Sequence, residues 1–123
     1  MRRLLVAGNW KMNGSAEFAA QLLQDVTAQL NDRCDMAVFP PFPYIAQVAE
    51  QLKGTPVQVG AQNVATEDQG AFTGEVSATM LANVGCSMAL VGHSERRTLY
   101  GETDLVVLQK TRQLLANDLT AVV

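Results

Sequence analysis

Three short stretches set chemically capable side chains directly after apolar runs: Gly8-Asn9-Trp10-Lys11, Gly60-Ala61-Gln62-Asn63 and Gly92-His93-Ser94-Glu95-Arg96-Arg97. Lys11 has two readings. It is a solvated surface lysine, or an ammonium beside a buried strand that needs an anion or a carboxylate as partner. Asn9 serves equally as a turn residue or as a ligand contact, and Trp10 reads as a packing residue. His93 is the single histidine of the chain. A lone histidine is often structural, but this one follows an apolar run and opens a helical turn, where main-chain amides favour neutral imidazole. Neutral imidazole can donate a hydrogen bond to a carbonyl or an enediolate oxygen. Ser94 reads as a cap and Glu95 as the partner of a cation. Neither is a nucleophile, because His93 and Ser94 being adjacent in sequence gives no triad geometry.

Several chemistries find no support. Gly8 to Gly14 lacks the G-x-x-x-x-G-K-[ST] phosphate loop, and no G-x-G-x-x-G occurs, so nucleotide binding has no basis. Cys34 and Cys86 form no C-x-x-C or Cys/His pattern, which argues against a structural metal and for free thiols in a reducing cytoplasm. Nine Lys+Arg against twelve Asp+Glu, net charge -3, provide no basic surface for nucleic acid, although one lysine and a few amides suffice for a small anion. The apolar run from Leu4 to Gly8 is shorter than a signal-peptide core of roughly 7–15 residues. Nothing approaches the roughly 20 apolar residues of a membrane span. The expectation is a cytoplasmic protein that touches neither membrane nor nucleic acid.

The elements that must position these residues alternate along the chain. Apolar runs at Leu4–Asn9, Asp35–Phe39, Val57–Gln62, Met88–Val91 and Thr120–Val123 read as five strands. Between them, Ser15 caps a helix with Phe18, Leu22, Leu23, Val26 and Leu30 on one face, and Pro43 opens a helix through Ile45, Val48, Ala49 and Leu52. Val76–Asn83 reads as a short helix and Gly92–Gly101 as a loop with a helical turn. Asp104–Asn117 is a helix with Leu105, Leu108, Leu114 and Leu115 as its apolar stripe. Strands alternating with helices imply βαβ units and a parallel sheet, with every strand-to-helix loop on one face. The pattern alone leaves a doubly wound sheet and a piece of barrel equally open. With 48% hydrophobic residues and no linker, residues 1–123 read as one domain. The last apolar run has no helix after it to cover it, so either a longer parent chain or a partner is expected. The loop Asn63–Glu75 is long for its place, and its Phe72 is either a partner anchor or a core plug.

Taken together, Gly8-Asn9-Trp10-Lys11-Met12-Asn13, Gly60-Ala61-Gln62-Asn63, Gly70-Ala71-Phe72-Thr73-Gly74-Glu75 and Gly92-His93-Ser94-Glu95-Arg96-Arg97 closely resemble the triosephosphate isomerase family, in order and spacing. The resemblance implies a TIM-barrel fold, present as four βα units and the start of a fifth strand, a half-barrel. It implies cofactor-free interconversion of dihydroxyacetone phosphate and D-glyceraldehyde 3-phosphate through an enediolate. On that resemblance Lys11 supplies positive charge, Asn9 helps position the substrate, and His93 is the neutral electrophile already known in this family. Ser94 lies near the general base, and Glu95 buttresses Lys11. Thr73 and Glu75 reach across a homodimer, with Glu75 facing the neighbour's Arg96. The family barrel has eight units in about 250 residues. Its glutamate base, its mobile lid and its later phosphate loops have no counterpart here, so the isolated chain is expected to be inactive. The competing readings are a self-assembling half-barrel, serving as a structural or phosphate-binding module without turnover, and a small doubly wound regulatory domain.

Overall fold

In the computed structural model, which describes all of residues 1–123, five strands form a single parallel sheet in the order β1-β2-β3-β4-β5. They are β1 (Leu5–Asn9), β2 (Asp35–Phe39), β3 (Gln58–Ala61), β4 (Met88–Leu90) and β5 (Thr120–Val122). The helices are α1 (Ala16–Thr27), α2 (Ile45–Gln51, entered through a 3-10 turn at Phe42–Tyr44), α3 (Ala78–Asn83), α4 (Ser94–Tyr100) and α5 (Asp104–Ala116). Sequential strand order with a helix in every connection is half a (β/α) barrel, and the doubly wound alternative requires a reversal of strand order that does not occur.

The register explains the two cores. Ala7 pairs with Ala37 and Asn9 with Phe39, while Gly60 pairs with Met88 and Leu90 with Val122. Alternation along each strand therefore sends Ala37, Phe39 and Met88 to the inner face, where Leu90 and Val122 pack on them. Val38, Val59, Ala61 and Ala89 face outward into the main core, against Leu23, Ile45, Leu81 and Leu114 of the helices. Phe39 is completely buried because Gly60 makes room: a Cβ there would lie 2.6 Å from Phe39 Cδ1 and 2.9 Å from Met88 Cγ.

Three of the helices begin where a hydroxyl side chain caps them. Ser15 accepts from the Phe18 amide, Ser77 from Met80 and Thr103 from Val106. α3 accordingly starts two residues later than the apolar pattern suggests. Two predicted helix faces need correction. On α1 the buried residues are Ala19 and Leu23, and Phe18 stays half-exposed, with its ring edge-on to Trp10 at 6.0 Å. On α5 the buried stripe is Val107, Lys110 and Leu114, whereas Leu105, Leu108 and Leu115 are exposed. A lysine in the middle of the true stripe disguised it. Exposed apolar side chains also remain at the first edge of the sheet, where Leu4 is 75% and Val6 52% accessible. No helix is long and apolar enough to cross a membrane.

Candidate active site

Four segments meet at the carboxyl ends of the strands, the end at which parallel α/β sheets bind ligands. Asn9 ends β1 and Lys11 and Met12 follow it, Pro41–Pro43 follow β2, Gln62 and Asn63 follow β3, and His93 and Tyr100 bound the β4 segment, lining one open cleft of about 510 Å³. A smaller cavity of about 270 Å³ opens at the opposite ends of the strands, around Arg3, Asp32, Cys34 and Asp35. None of the polar strand-end residues singled out from the sequence reaches it.

Lys11 adopts left-handed backbone, φ +55°, a conformation that costs a residue with a side chain roughly 1–2 kcal/mol. Its N–H donates to Asn9 Oδ1 at 2.9 Å and its ammonium to Glu95 Oε1 at 2.6 Å. Asn9 is thus a turn residue through its oxygen, while its amide nitrogen has no partner within the chain. The Lys11 side chain is 53% exposed, so it is a half-solvated ammonium with one carboxylate beside it rather than a buried one. The hydrogen bond from Lys11 holds the Glu95 carboxyl below its ordinary range. Burial opposes it as the next-largest effect, and the Lys11 charge, with that of His93 when protonated, adds to the lowering.

His93 reaches the cleft from a tight turn. Gly92 has φ +67°, and a Cβ on it would lie 2.7 Å from Val107 Cγ2, so only glycine fits. Arg97 pins the same turn by donating from Nε to the Gly92 carbonyl at 2.9 Å and pairing with Asp104 at 2.7 Å. The cap of α4 is the imidazole itself: His93 Nδ1 accepts the Glu95 N–H at 3.0 Å. Ser94, expected as the cap, is instead the first helical residue, and it does not line the cleft. A ring nitrogen that accepts an amide hydrogen carries no proton of its own, so neutral His93 bears its proton on Nε2. Such a ring is a hydrogen-bond donor.

Lys11, Glu95 and His93 are contiguous, since Glu95 Oε2 also lies 3.7 Å from His93 Nδ1. Among the acidic residues Glu95 alone lines the cleft; Glu67, Asp68 and Glu75 do not. Thr73 and Glu75 lie in the exposed loop outside it, and Glu75 forms no ion pair within the chain. Arg96 does line the cleft, with its guanidinium 4.8 Å from the Tyr100 ring centre and its Nε 3.2 Å from Glu102 Oε1.

Sequence reasoning missed what lies behind Arg96. The Lys110 ammonium donates to Glu102 Oε1 and, at 2.7 Å, to Asn63 Oδ1 of the cleft wall. Both side chains are nearly inaccessible, 5% for Lys110 and 6% for Glu102. Burial pushes the Glu102 carboxyl up, but Lys110 and then Arg96 outweigh it and hold it below the ordinary glutamate value. The available signal was Lys110 sharing one helical face with Val107 and Leu114, at spacings of three and four. No three His, Cys, Asp or Glu side chains are grouped as a metal site.

Comparison with known proteins bears on the same segments. The family model for triosephosphate isomerase matches residues 4–123. The triosephosphate isomerase of Methylococcus capsulatus is 52% identical over 120 residues, covering 97% of this chain and 48% of that protein. That of Dechloromonas aromatica is 54% identical over 111 residues, covering 89% of this chain and 45% of the relative. That of Herminiimonas arsenicoxydans is 49% identical over 124 residues, covering 100% and 50%. The chain thus spans about half the length of these relatives. A match that runs from Leu4 to the last residue, on a sequentially ordered parallel sheet, permits one assignment: the chain belongs to the triosephosphate isomerase family.

Proposed function

We propose that this chain supplies the lysine and histidine side of a triosephosphate isomerase centre, interconverting dihydroxyacetone phosphate and D-glyceraldehyde 3-phosphate through an enediolate without a cofactor. One observation carries the reading: His93, its Nδ1 occupied by a main-chain amide, shares a cleft with Lys11. In that cleft Nε2–H donates to the substrate oxygens on which negative charge develops. Lys11 holds the anionic substrate, and Asn9 positions it with its free amide nitrogen. Glu95 keeps Lys11 in place, and Ser94 lies beside the base.

The same geometry supports an inactive isolated chain. Isomerisation needs a base to remove a proton from the carbon next to the carbonyl, and Glu95, the one carboxylate in the cleft wall, is held by Lys11. Loss of a positioned base costs about 10²–10⁴-fold in rate. A coupled isomerase assay on the 123-residue chain, alone and mixed with the C-terminal half of the Methylococcus capsulatus relative, tests both parts. Activity is expected in the mixture only. Turnover by the chain alone contradicts the inactivity, and a folded mixture without turnover contradicts the function. In the active mixture His93→Ala lowers kcat more than it raises KM; an unchanged kcat removes His93 from the mechanism.

A second reading, self-association of a non-catalytic half-barrel as a structural or phosphate-binding module, is favoured by the exposed Leu4 and Val6 at one edge of the sheet and by Leu105 and Leu115 exposed on α5. In either reading residues 1–123 act as one domain in the cytoplasm. The exposed loop bearing Thr73 and Glu75 meets Arg96 of a second copy in a homodimer. Sedimentation velocity of the chain decides this, because a monomer at high concentration excludes the association.

A further inference from the structure

The Gly60-Ala61-Gln62-Asn63 stretch contains a residue with no part in the reading above. Gln62 sits just past the end of β3, and its side-chain amide reaches across the end of β2 to the segment that follows β1. Both hydrogens of that amide are used: Nε2 donates to the Lys11 carbonyl at 2.8 Å and to the Phe39 carbonyl at 2.8 Å. The Phe39 carbonyl also accepts the Trp10 N–H at 3.1 Å, the last rung between β1 and β2. Lys11 lies one residue beyond that rung, and neither its N–H nor its carbonyl bonds to another main-chain group. Its left-handed backbone is therefore held by two side chains, Asn9 at the N–H and Gln62 at the carbonyl. A sparsely populated conformation persists only when its surroundings over-determine it.

We propose that Gln62 is a positioning residue, whose carboxamide, tied to the Lys11 and Phe39 carbonyls, fixes the left-handed peptide that aims the Lys11 ammonium into the cleft. The inference deepens the proposed isomerase site and rests on it for its consequence in catalysis. Without the clamp Lys11 relaxes to ordinary backbone, its side chain leaves the line to Glu95, and the substrate loses a fixed charge. A misplacement of about 1 Å is enough to cost roughly a hundredfold in rate.

The test reads the Lys11–Glu95 contact in the chain itself, with no substrate. Gln62→Met keeps the length of the side chain and removes both donors, and Lys11→Met gives the reference in which the contact is absent. The Glu95 carboxyl is followed by carbon-detected NMR titration, with Lys11, His93 and Arg96 as the charged or titratable groups around it. In Gln62→Met the Glu95 midpoint is expected to rise from its depressed value toward that in Lys11→Met. A folded Gln62→Met chain that is less stable but has an unchanged Glu95 midpoint shows that Gln62 is structural only, and overturns the proposal. If Gln62→Met does not fold, the parent chain decides. Scalar couplings across hydrogen bonds from Gln62 Nε2 to the Lys11 and Phe39 carbonyl carbons support the clamp, and rapidly exchanging, uncoupled Gln62 amide protons refute it. A failed isomerase assay leaves this inference standing, and an unchanged Glu95 midpoint leaves the isomerase reading standing.

Discussion

Replacing Lys110 by methionine keeps the stem of the side chain and deletes a buried charge. The Lys110 ammonium is the donor shared by Glu102 Oε1 and Asn63 Oδ1. In Lys110→Met the carboxylate of Glu102, 6% exposed, keeps only Arg96 Nε at 3.2 Å, and its Oε2 already has no partner. Breaking such a buried pair from one side costs about 3–5 kcal/mol. With 123 residues and an unfolding entropy of about 2.1 cal/mol/K per residue, each kcal/mol moves the midpoint by about 4 °C. Lys110→Met is therefore expected to lower Tm by about 12–20 °C, read by far-UV circular dichroism. Adding Glu102→Gln removes the stranded charge, so the double variant loses less than the two single variants together. A single variant within about 1 kcal/mol of the parent, or strict additivity in the cycle, refutes the reasoning.

Gly60→Ala places a methyl group against Phe39 and Met88 and is expected to cost about 1–3 kcal/mol in chemical denaturation; a stability equal to the parent's contradicts the packing. Because Lys110 and Arg96 hold the Glu102 carboxyl below its ordinary value, native chain binds fewer protons than unfolded chain in that range. The corresponding stability is complete above the ordinary glutamate range and is lost as pH falls through the depressed native value. Acid titrations of parent and Glu102→Gln should therefore converge at low pH; curves that stay parallel remove Glu102 from the acid limb. Burial raises the Cys86 thiol to about 12, while Cys34 is half-buried. Iodoacetamide should then label Cys34 first and Cys86 only at the rate of unfolding, and mass spectrometry showing equal labelling contradicts that burial.

The first four strands were legible because each is a short apolar run ended by Gly, Pro or a polar residue. Phe39 before Pro40-Pro41 and Asn9 before Trp10 stop where the sequence says they stop. Helix faces were less so. Leucines attract attention, yet α5 docks through Val107, Lys110 and Leu114, and its leucines at 105, 108 and 115 lie outside the core. The contribution of His93 and Lys11 to one cleft followed from a parallel sheet, in which all strand ends point the same way. What pattern could not give were contacts between segments far apart in sequence: Lys110 with Asn63, Gln62 with Lys11, and the capping of α4 by an imidazole rather than by Ser94. Each depends on tertiary docking, which no local spacing encodes.

The imidazole cap has one more implication. Because a peptide N–H, rather than a neighbouring side chain, selects which ring nitrogen is bare, that choice is immune to almost every substitution around it. Glu95 can be exchanged for any residue with a free amide hydrogen and the tautomer survives; proline at that position is the exception, since it has none to offer. Substitution at position 95 can therefore unfasten Lys11 while the Nε2 donor of His93 stays written in the main chain.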